Sequence, residues 1–166
     1  MRERLLDLQA GAAGLPLIKV PIPHPCPSGI YEERMAAAMA RVKADGIAHV
    51  VFGDLFLEDV RAYREERLAR VDMTALFPLW GRNTGDLARE MIASGLTAHL
   101  ACVDPSQVPA GLSGRRFDLD LLAELPETAD PCGENGEFHT VVTAGPMFTR
   151  AIEVEIGETV TREGFV

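Results

Sequence analysis

Short apolar segments alternate with longer amphipathic segments along most of this chain, and that alternation limits its fold more than any other feature. Apolar runs that predict strands lie at residues 15–22, 47–52, 75–80 and 97–103. Segments that predict amphipathic helices lie at 2–12, 29–44, 57–69 and 84–94. Since helices that separate strands permit parallel pairing, the sequence predicts an α/β fold with a mostly parallel sheet and helices on both faces.

The C-terminal part of the chain has a different pattern. Residues 137–143, 151–156 and 159–166 alternate in polarity or are rich in β-branched side chains. They predict an antiparallel strand appendage behind the α/β part. We therefore divide the chain at residues 1–130 and 131–166, with both parts expected to belong to one domain.

Charge and composition exclude several classes of partner. The chain has 25 acidic and 16 basic residues, a formal net charge of -9, which leaves no cationic surface for nucleic acid. No apolar run reaches the roughly 20 residues of a membrane span, and the charged start does not resemble a signal peptide. Three widely spaced cysteines give neither a disulfide framework nor a zinc pair. We expect a cytoplasmic protein.

A polar segment at 130–140 holds the densest group of reactive side chains. It carries two glutamates, a histidine, an asparagine and two glycines immediately before a predicted strand. Glycines let backbone amides approach a ligand, and carboxylates beside an imidazole could position an amine, take its proton or hold Mg²⁺ on a nucleotide. The alternative is a glycine-rich turn whose charges are only solvated.

A second group follows the predicted strand at 47–52. Gly53 and Asp54 lie at the carboxyl end of that strand, where ligands bind in parallel sheets. The next helix carries Arg61, Arg64 and Arg67, which could bind a phosphate or could form ordinary ion pairs on a solvated helix face. The ion-pair interpretation is favoured for Arg64 and Arg67. After the strand at 75–80, Trp80 could stack on a base or fill the core.

Three segments together resemble the PP-loop family of ATP-dependent ligases that includes diphthine-ammonia ligase. They are Phe52–Leu55 followed by Arg61 and Glu65, then Phe77–Gly81, and above all Cys132–Thr140. The resemblance implies a Rossmann-like, adenine nucleotide alpha hydrolase fold. It also implies that ATP with Mg²⁺ activates a carboxylate as an acyl-adenylate, and that ammonia then attacks to form an amide.

The resemblance also implies roles for individual residues. The candidate catalytic residues are Glu134, Glu137 and His139, and substitution of either glutamate is expected to lower turnover with little effect on stability. No residue is assigned to a metal. The candidates for binding substrate or nucleotide are Gly53, Asp54, Arg61, Trp80, Gly81, Asn135, Gly136 and Thr140.

The chain departs from the family in its N-terminal part. The family begins with a strand and a Ser-Gly-Gly-Lys-Asp-Ser-like pyrophosphate loop, whereas neither Lys19 nor Lys43 follows a glycine here. We therefore interpret residues 1–130 as an incomplete, N-terminally truncated PP-loop domain. We expect it to bind ATP poorly, to be inactive in this form and to expose strand edges through which copies of the chain could associate as a homo-oligomer.

The second departure concerns the acceptor. The diphthamide enzymes tend to have Gly, Tyr and Glu where this chain has Asn135, Phe138 and His139. Only two of its 16 basic residues are lysines, which indicates a GC-rich bacterial source, and a bacterium would lack diphthine as the protein-borne acceptor. The acceptor carboxylate stays open. The alternatives are an adenine nucleotide hydrolase or nucleotide-dependent amidase of the same fold, or a non-catalytic nucleotide-binding or interaction module.

Overall fold

The computed structural model describes residues 2–166, and the chain divides into two compact units. The terminal unit contains the residues up to Pro16 together with Arg82–Val166, and the central unit contains Leu17–Gly81. The α-helices are α1 Glu3–Ala13, α2 Ser28–Ala44, α3 Glu58–Ala69, α4 Thr84–Ala93 and α5 Leu119–Glu124, and Ala110–Leu112 forms a 3-10 turn. The strands are β1 His49–Val51, β2 Thr74–Leu76, β3 Thr97–Val103 and β4 Phe138–Ala144.

In the central unit, the predicted strand–helix–strand arrangement is confirmed. Strands β1 and β2 pair in parallel, with His49 opposite Thr74, and α3 connects them. Helix formation in α3 follows its amphipathic pattern, whose inner face buries Leu68. Leu55 and Met73 are the other fully buried apolar side chains of this unit.

The strand predicted at residues 15–22 is wrong. This segment contains no regular strand, and Leu15 is 67% exposed. Pro16 and Pro21 lie within it and lack the N–H group that a sheet ladder needs, so the apolar character of the segment does not suffice for pairing.

In the terminal unit, β3 pairs with β4 in the antiparallel direction. The expectation that 97–103 forms a further parallel strand is therefore wrong, because apolar periodicity identifies a buried strand without fixing the direction of its partner. The other edge of β3 is covered as well, since Leu100 exchanges backbone hydrogen bonds with Gly114 and Arg115, and Val103 does so with Val166. Strand β3 is therefore central in its unit.

The core of the terminal unit forms where α4, α5 and the loops cover β3. Ten buried apolar residues make this cluster: Ala88, Ala98, Leu100, Val103, Val108, Leu112, Phe117, Leu121, Ala129 and Phe138. Phe138 is the first residue of β4, so burial of its side chain fixes the start of the strand that follows the polar loop.

Helix boundaries agree with the sequence signals. Gly14 ends α1 with a left-handed φ of 68°. Asn83 and Asp118 cap α4 and α5, because their side chains accept hydrogen bonds from the amides of Asp86 and Leu121 at 2.9 Å.

The α/β class is confirmed, although each sheet has two strands. The C-terminal appendage is confirmed only at β4, since 151–156 and 159–166 form no strand beyond a bridge between Arg162 and Phe165.

Within residues 2–166, no helix combines the length and the apolar character that crossing a membrane requires.

Candidate functional site

The loop from Asp130 to Thr140 leads into β4, and two glycines determine its tight course. Gly133 and Gly136 have φ values of 73° and 83°, which an L side chain adopts only with strain. Gly133 also has no room for a side chain, because an added Cβ would lie 2.8 Å from the carbonyl oxygen of Phe138. Both glycines are therefore required by the shape of the loop itself.

Glu137 lies inside this loop as a buried carboxylate that is only 1% exposed. Its Oε1 accepts hydrogen bonds from the amide of Asp130 at 2.7 Å and from Nδ2 of Asn135 at 3.1 Å. Its Oε2 accepts the amide of Asn135 at 2.9 Å. Burial raises the pKa of Glu137 and the hydrogen bonds lower it by more, so the pKa lies below its ordinary value. Glu137 is therefore held ionised.

Asp130 is a second buried carboxylate, 8% exposed, that the sequence did not single out. Its Oδ2 accepts the amides of Cys132 and Glu134, each at 3.0 Å. The backbone amide of Asp130 donates to the Glu137 carboxylate, so the two residues are linked to each other while their carboxylates hold different parts of the same loop. We call this pair, Asp130 with Glu137, the carboxylate interlock.

The backbone amides of the loop are used inside it. From Asp130 to Gly136, Pro131 has no N–H group, and the other amides donate to the interlock or to loop carbonyls. The carbonyl acceptors are those of Asp130, for Gly133, and of Gly133, for Gly136. These amides are therefore not free to cradle an anion, which differs from the ligand-approach role that the glycines suggested in the sequence.

The remaining predicted residues of this segment are more accessible. Glu134 is half-buried, while Asn135, His139 and Thr140 are exposed. In the register of the sheet, His139 lies opposite Cys102 and Thr140 lies opposite Leu100, with an irregularity between these two pairs. Bulges of this kind redirect side chains and occur beside active sites. The loop and the start of β4 thus bring Glu134, His139 and Thr140 into one short segment, and their catalytic and binding roles stay predictions.

Cys132 is a half-buried thiol within the loop. Its Sγ lies 3.3 Å from the carbonyl oxygen of Thr84, to which it donates. Burial, with the charges of Asp130 and Glu134, raises the pKa of Cys132 to about 11. The thiol therefore stays protonated at neutral pH and is a poor nucleophile.

The predicted nucleotide residues form a second group, which belongs to the central unit. Asp54 follows β1, and its Oδ2 lies 3.0 Å from Nε of Arg64 in α3. The amide of Gly81 donates to the carbonyl of Leu55 at 2.8 Å, which ties the segment after β2 to the segment after β1. Gly53, Asp54 and Gly81 therefore gather at the carboxyl edge of the parallel sheet, as expected from the fold class.

Aromatic rings and arginines stack at the same edge. The ring centroids of Phe52 and Phe77 are 5.5 Å apart, and those of Phe77 and Trp80 are 5.9 Å apart. The guanidinium of Arg61 lies 4.7 Å from the Trp80 ring, and that of Arg64 lies 4.5 Å from the Phe52 ring. Arginine guanidinium groups and aromatic rings also stack on the flat face of a purine base.

The charges in this group are already paired. Arg61 donates to Glu65 at 2.8 Å, Arg64 pairs with Asp54, and Arg67 pairs with Glu32. In residues 2–166, no three side chains from His, Cys, Asp and Glu come together as a metal site. The arginines of this group therefore already have carboxylate partners.

One residue of these groups, Asp130, was missed in the sequence. Asp130 was not selected because an aspartate at the start of a glycine-containing segment is also an ordinary turn residue. The ion-pair interpretation favoured for Arg64 is confirmed, and its partner is Asp54, whose side chain is 12% exposed.

Comparison with known proteins places the loop inside a recognised family. The family described as Diphthamide synthase C-terminal domain matches residues 83–165, which is half of the chain. This match includes the whole of the Asp130–Thr140 loop.

Similarity to whole proteins extends further. The zebrafish (Danio rerio) diphthine-ammonia ligase is 31% identical over 95% of this chain and 68% of its own length. The rat (Rattus norvegicus) and human (Homo sapiens) diphthine-ammonia ligases are 33% and 34% identical over 63% of this chain, and these matches span 41% of each relative's length. Because half of the chain matches the family and nearly all of it aligns with the zebrafish enzyme, the chain belongs to the diphthine-ammonia ligase family.

Proposed function

We propose that the chain is part of an ATP-dependent, amide-forming ligase with a Rossmann-like fold. In this reaction a carboxylate displaces pyrophosphate from ATP to form an acyl-adenylate. Ammonia then attacks the acyl carbon, AMP leaves, and the nitrogen loses a proton to give the amide. The observation that carries the proposal is the Asp130–Thr140 loop within the family match, in which a buried carboxylate interlock supports accessible reactive side chains.

The loop suits the ammonia side of this reaction. Its amides are occupied, so the groups it can present to a ligand are acceptors such as the Glu134 carboxylate. Ammonia and ammonium are donors, and a carboxylate or imidazole can orient them and receive the proton that the forming amide releases. We therefore assign orientation and proton transfer to Glu134 in the loop, and we propose His139, near the start of β4, as the second group of this kind. Glu137 stays ionised and buried as support for the loop.

The central unit suits the nucleotide base. Asp54, Arg61, Trp80 and Gly81 lie at the carboxyl edge of a parallel sheet together with stacked aromatic rings. Base stacking on an arginine–aromatic platform provides affinity without a phosphate contact. We propose that this unit binds the adenine of ATP.

The described residues do not fit the triphosphate. The arginines are paired with carboxylates, no acidic cluster suits Mg²⁺ within residues 2–166, and neither lysine follows a glycine. We therefore assign no residue of this chain to the triphosphate or to Mg²⁺. We propose instead that this chain alone is inactive and binds ATP poorly.

The acceptor is proposed to be a carboxylate other than diphthine. His139 is exposed on β4 at the position where the diphthamide enzymes tend to have glutamate. An imidazole there changes the local charge and so the acceptor that the strand favours. The scarcity of lysine indicates a bacterial source, and in a bacterium the substrate would be some other carboxylate or a nucleotide.

Pyrophosphate release tests the proposal against its alternatives. A fusion that adds a phosphate-loop unit ahead of Met1 is incubated with ATP, Mg²⁺ and an extract of the source cells, with and without ammonium chloride. Ammonium-dependent release supports the ligase. Release that ignores ammonium would assign the protein to the nucleotide hydrolases.

The paired arginines favour one alternative, a non-catalytic nucleotide-binding or interaction module. Binding of AMP without turnover, in both the chain and the fusion, would establish that alternative.

A further inference from the structure

We propose that Asp130 is a positioning residue for Glu134, and that it acts by fixing one of the two peptide groups that flank the Glu134 side chain. The inference rests on the proposed function in one respect, because it takes Glu134 as the group that meets ammonia. No role was assigned to Asp130 from the sequence.

Hydrogen bonds on both sides of Glu134 carry this inference. The peptide N–H before its Cα is its own, and it donates to Oδ2 of Asp130 at 3.0 Å. The peptide N–H after its Cα belongs to Asn135, and it donates to Oε2 of Glu137 at 2.9 Å. Two different buried carboxylates therefore fix the two peptide planes on which the direction of the Glu134 side chain depends.

The interlock also makes the backbone around Glu134 rigid. Asp130 is 8% exposed and holds the amide of Cys132 as well as that of Glu134, so its carboxylate spans the left-handed residue Gly133 between them. Its own amide is held by Glu137. A side chain that must orient a small ligand needs neighbours of this kind, since bonds to a charged acceptor are stronger than neutral ones.

Amide hydrogen exchange tests the structural half of this inference in the chain as it exists. Asp130→Ala should raise the exchange rates of the Cys132 and Glu134 amides by about tenfold or more, because their acceptor is removed. Asp130→Asn keeps an oxygen acceptor and should restore most of the protection. Glu127→Ala, at an exposed carboxylate three residues earlier, is the matched control. An unchanged Glu134 amide in Asp130→Ala would overturn the inference.

Ammonium titration tests the functional half. The carboxyl carbon of Glu134 is followed by NMR during addition of ammonium chloride, with sodium chloride as the ionic-strength control. The wild-type response should be about threefold or more weaker in Asp130→Ala, because a misdirected side chain binds less well, and it should recover in Asp130→Asn. A full response in Asp130→Ala despite faster exchange would show that Asp130 holds the loop without positioning Glu134.

The two failures can be told apart. If the wild-type chain gives no ammonium-specific response at Glu134, the ammonia role of the loop fails, and the positioning role fails with it. If the response is present but independent of Asp130, only the positioning role fails.

Discussion

Replacing Glu137 by glutamine should destabilise the protein, although the two side chains have nearly the same shape. The carboxylate is 1% exposed and accepts three N–H groups, from the amides of Asp130 and Asn135 and from Asn135 Nδ2. Glutamine has one acceptor oxygen. Its amide nitrogen would point N–H groups at one of the donors 2.7–3.1 Å away.

The size of the effect follows from these contacts. A hydrogen bond to a charged group contributes about 1.5–3 kcal/mol, and a buried donor that loses its acceptor costs about 1–3 kcal/mol more. Since at least one bond is lost and the contributions do not add fully, we expect a loss of about 3 kcal/mol in the free energy of unfolding. This replaces the sequence-based expectation that a Glu137 substitution would leave stability almost unchanged.

Urea unfolding followed by circular dichroism measures this loss. With a slope of about 1–3 kcal/mol per molar urea, a loss of about 3 kcal/mol should lower the midpoint for Glu137→Gln by about 1–3 M at pH 7. Glu134→Gln makes the same chemical change at a half-buried position of the same loop and should have a much smaller effect. A midpoint for Glu137→Gln within about 0.3 M of wild type would refute the structural role of this carboxylate.

The pH dependence gives a second test of the same role. Because the pKa of Glu137 is lowered in the folded chain, its contribution is complete above the ordinary glutamate pKa of about 4.3 and is lost as the pH falls through the lower folded value. The stability difference between wild type and Glu137→Gln should therefore shrink below about pH 4. A difference that stays constant into strong acid would mean that the charge is not what stabilises the loop.

Further predictions concern the Cys132 thiol, the loop glycines, ATP binding and association of the chain. Cys132, whose pKa is raised to about 11, should react with iodoacetamide at pH 8 about tenfold more slowly than Cys102, and equal rates would argue against its buried, electronegative surroundings. Gly133→Ala should destabilise the chain by about 1–3 kcal/mol more than Gly136→Ala, since both have positive φ but only Gly133 lacks space for a Cβ; equal thermal shifts would count against this loop geometry. Calorimetry should detect weak or no ATP binding, and tight Mg²⁺-dependent binding would contradict the unsuitability for a triphosphate. The parallel sheet has only two strands, and unpaired strand edges recruit other edges, so light scattering should detect association of the chain. A compact, stable monomer would count against this expectation.

The sequence predicted the local elements better than their assembly. The glycine after α1, the asparagine cap of α4 and the strand–helix–strand of the central unit follow from periodicity and capping, which are local properties. The antiparallel partner of β3 lies about forty residues away in the chain, and no local pattern specifies the direction in which two buried strands pair. The segment 15–22 has strand-like apolar residues, yet its prolines remove the donors that pairing needs.

The candidate site shows the same limit. The residue types of the 130–140 loop indicated a functional segment, and the family match covers it. The sequence could not distinguish the buried Glu137 from the half-buried Glu134, because each directly follows a glycine in the same polar segment. Burial and hydrogen bonding make that separation, since Glu137 is enclosed by amides while Glu134 is half-buried. The part played by Asp130 depends on contacts to Cys132 and Glu134 that composition does not reveal.

Transfer of labelled nitrogen from ammonium into an amide measures the proposed reaction itself. The fusion carrying a phosphate-loop unit is incubated with ATP, Mg²⁺, ¹⁵N-ammonium and an extract of the source cells, and the products are analysed by mass spectrometry. We expect ATP-dependent incorporation of ¹⁵N into an amide, reduced about 10²-fold or more by Glu134→Gln and unaffected by Glu127→Ala. ATP consumption without any labelled amide, or equal labelling by wild type and Glu134→Gln, would contradict it.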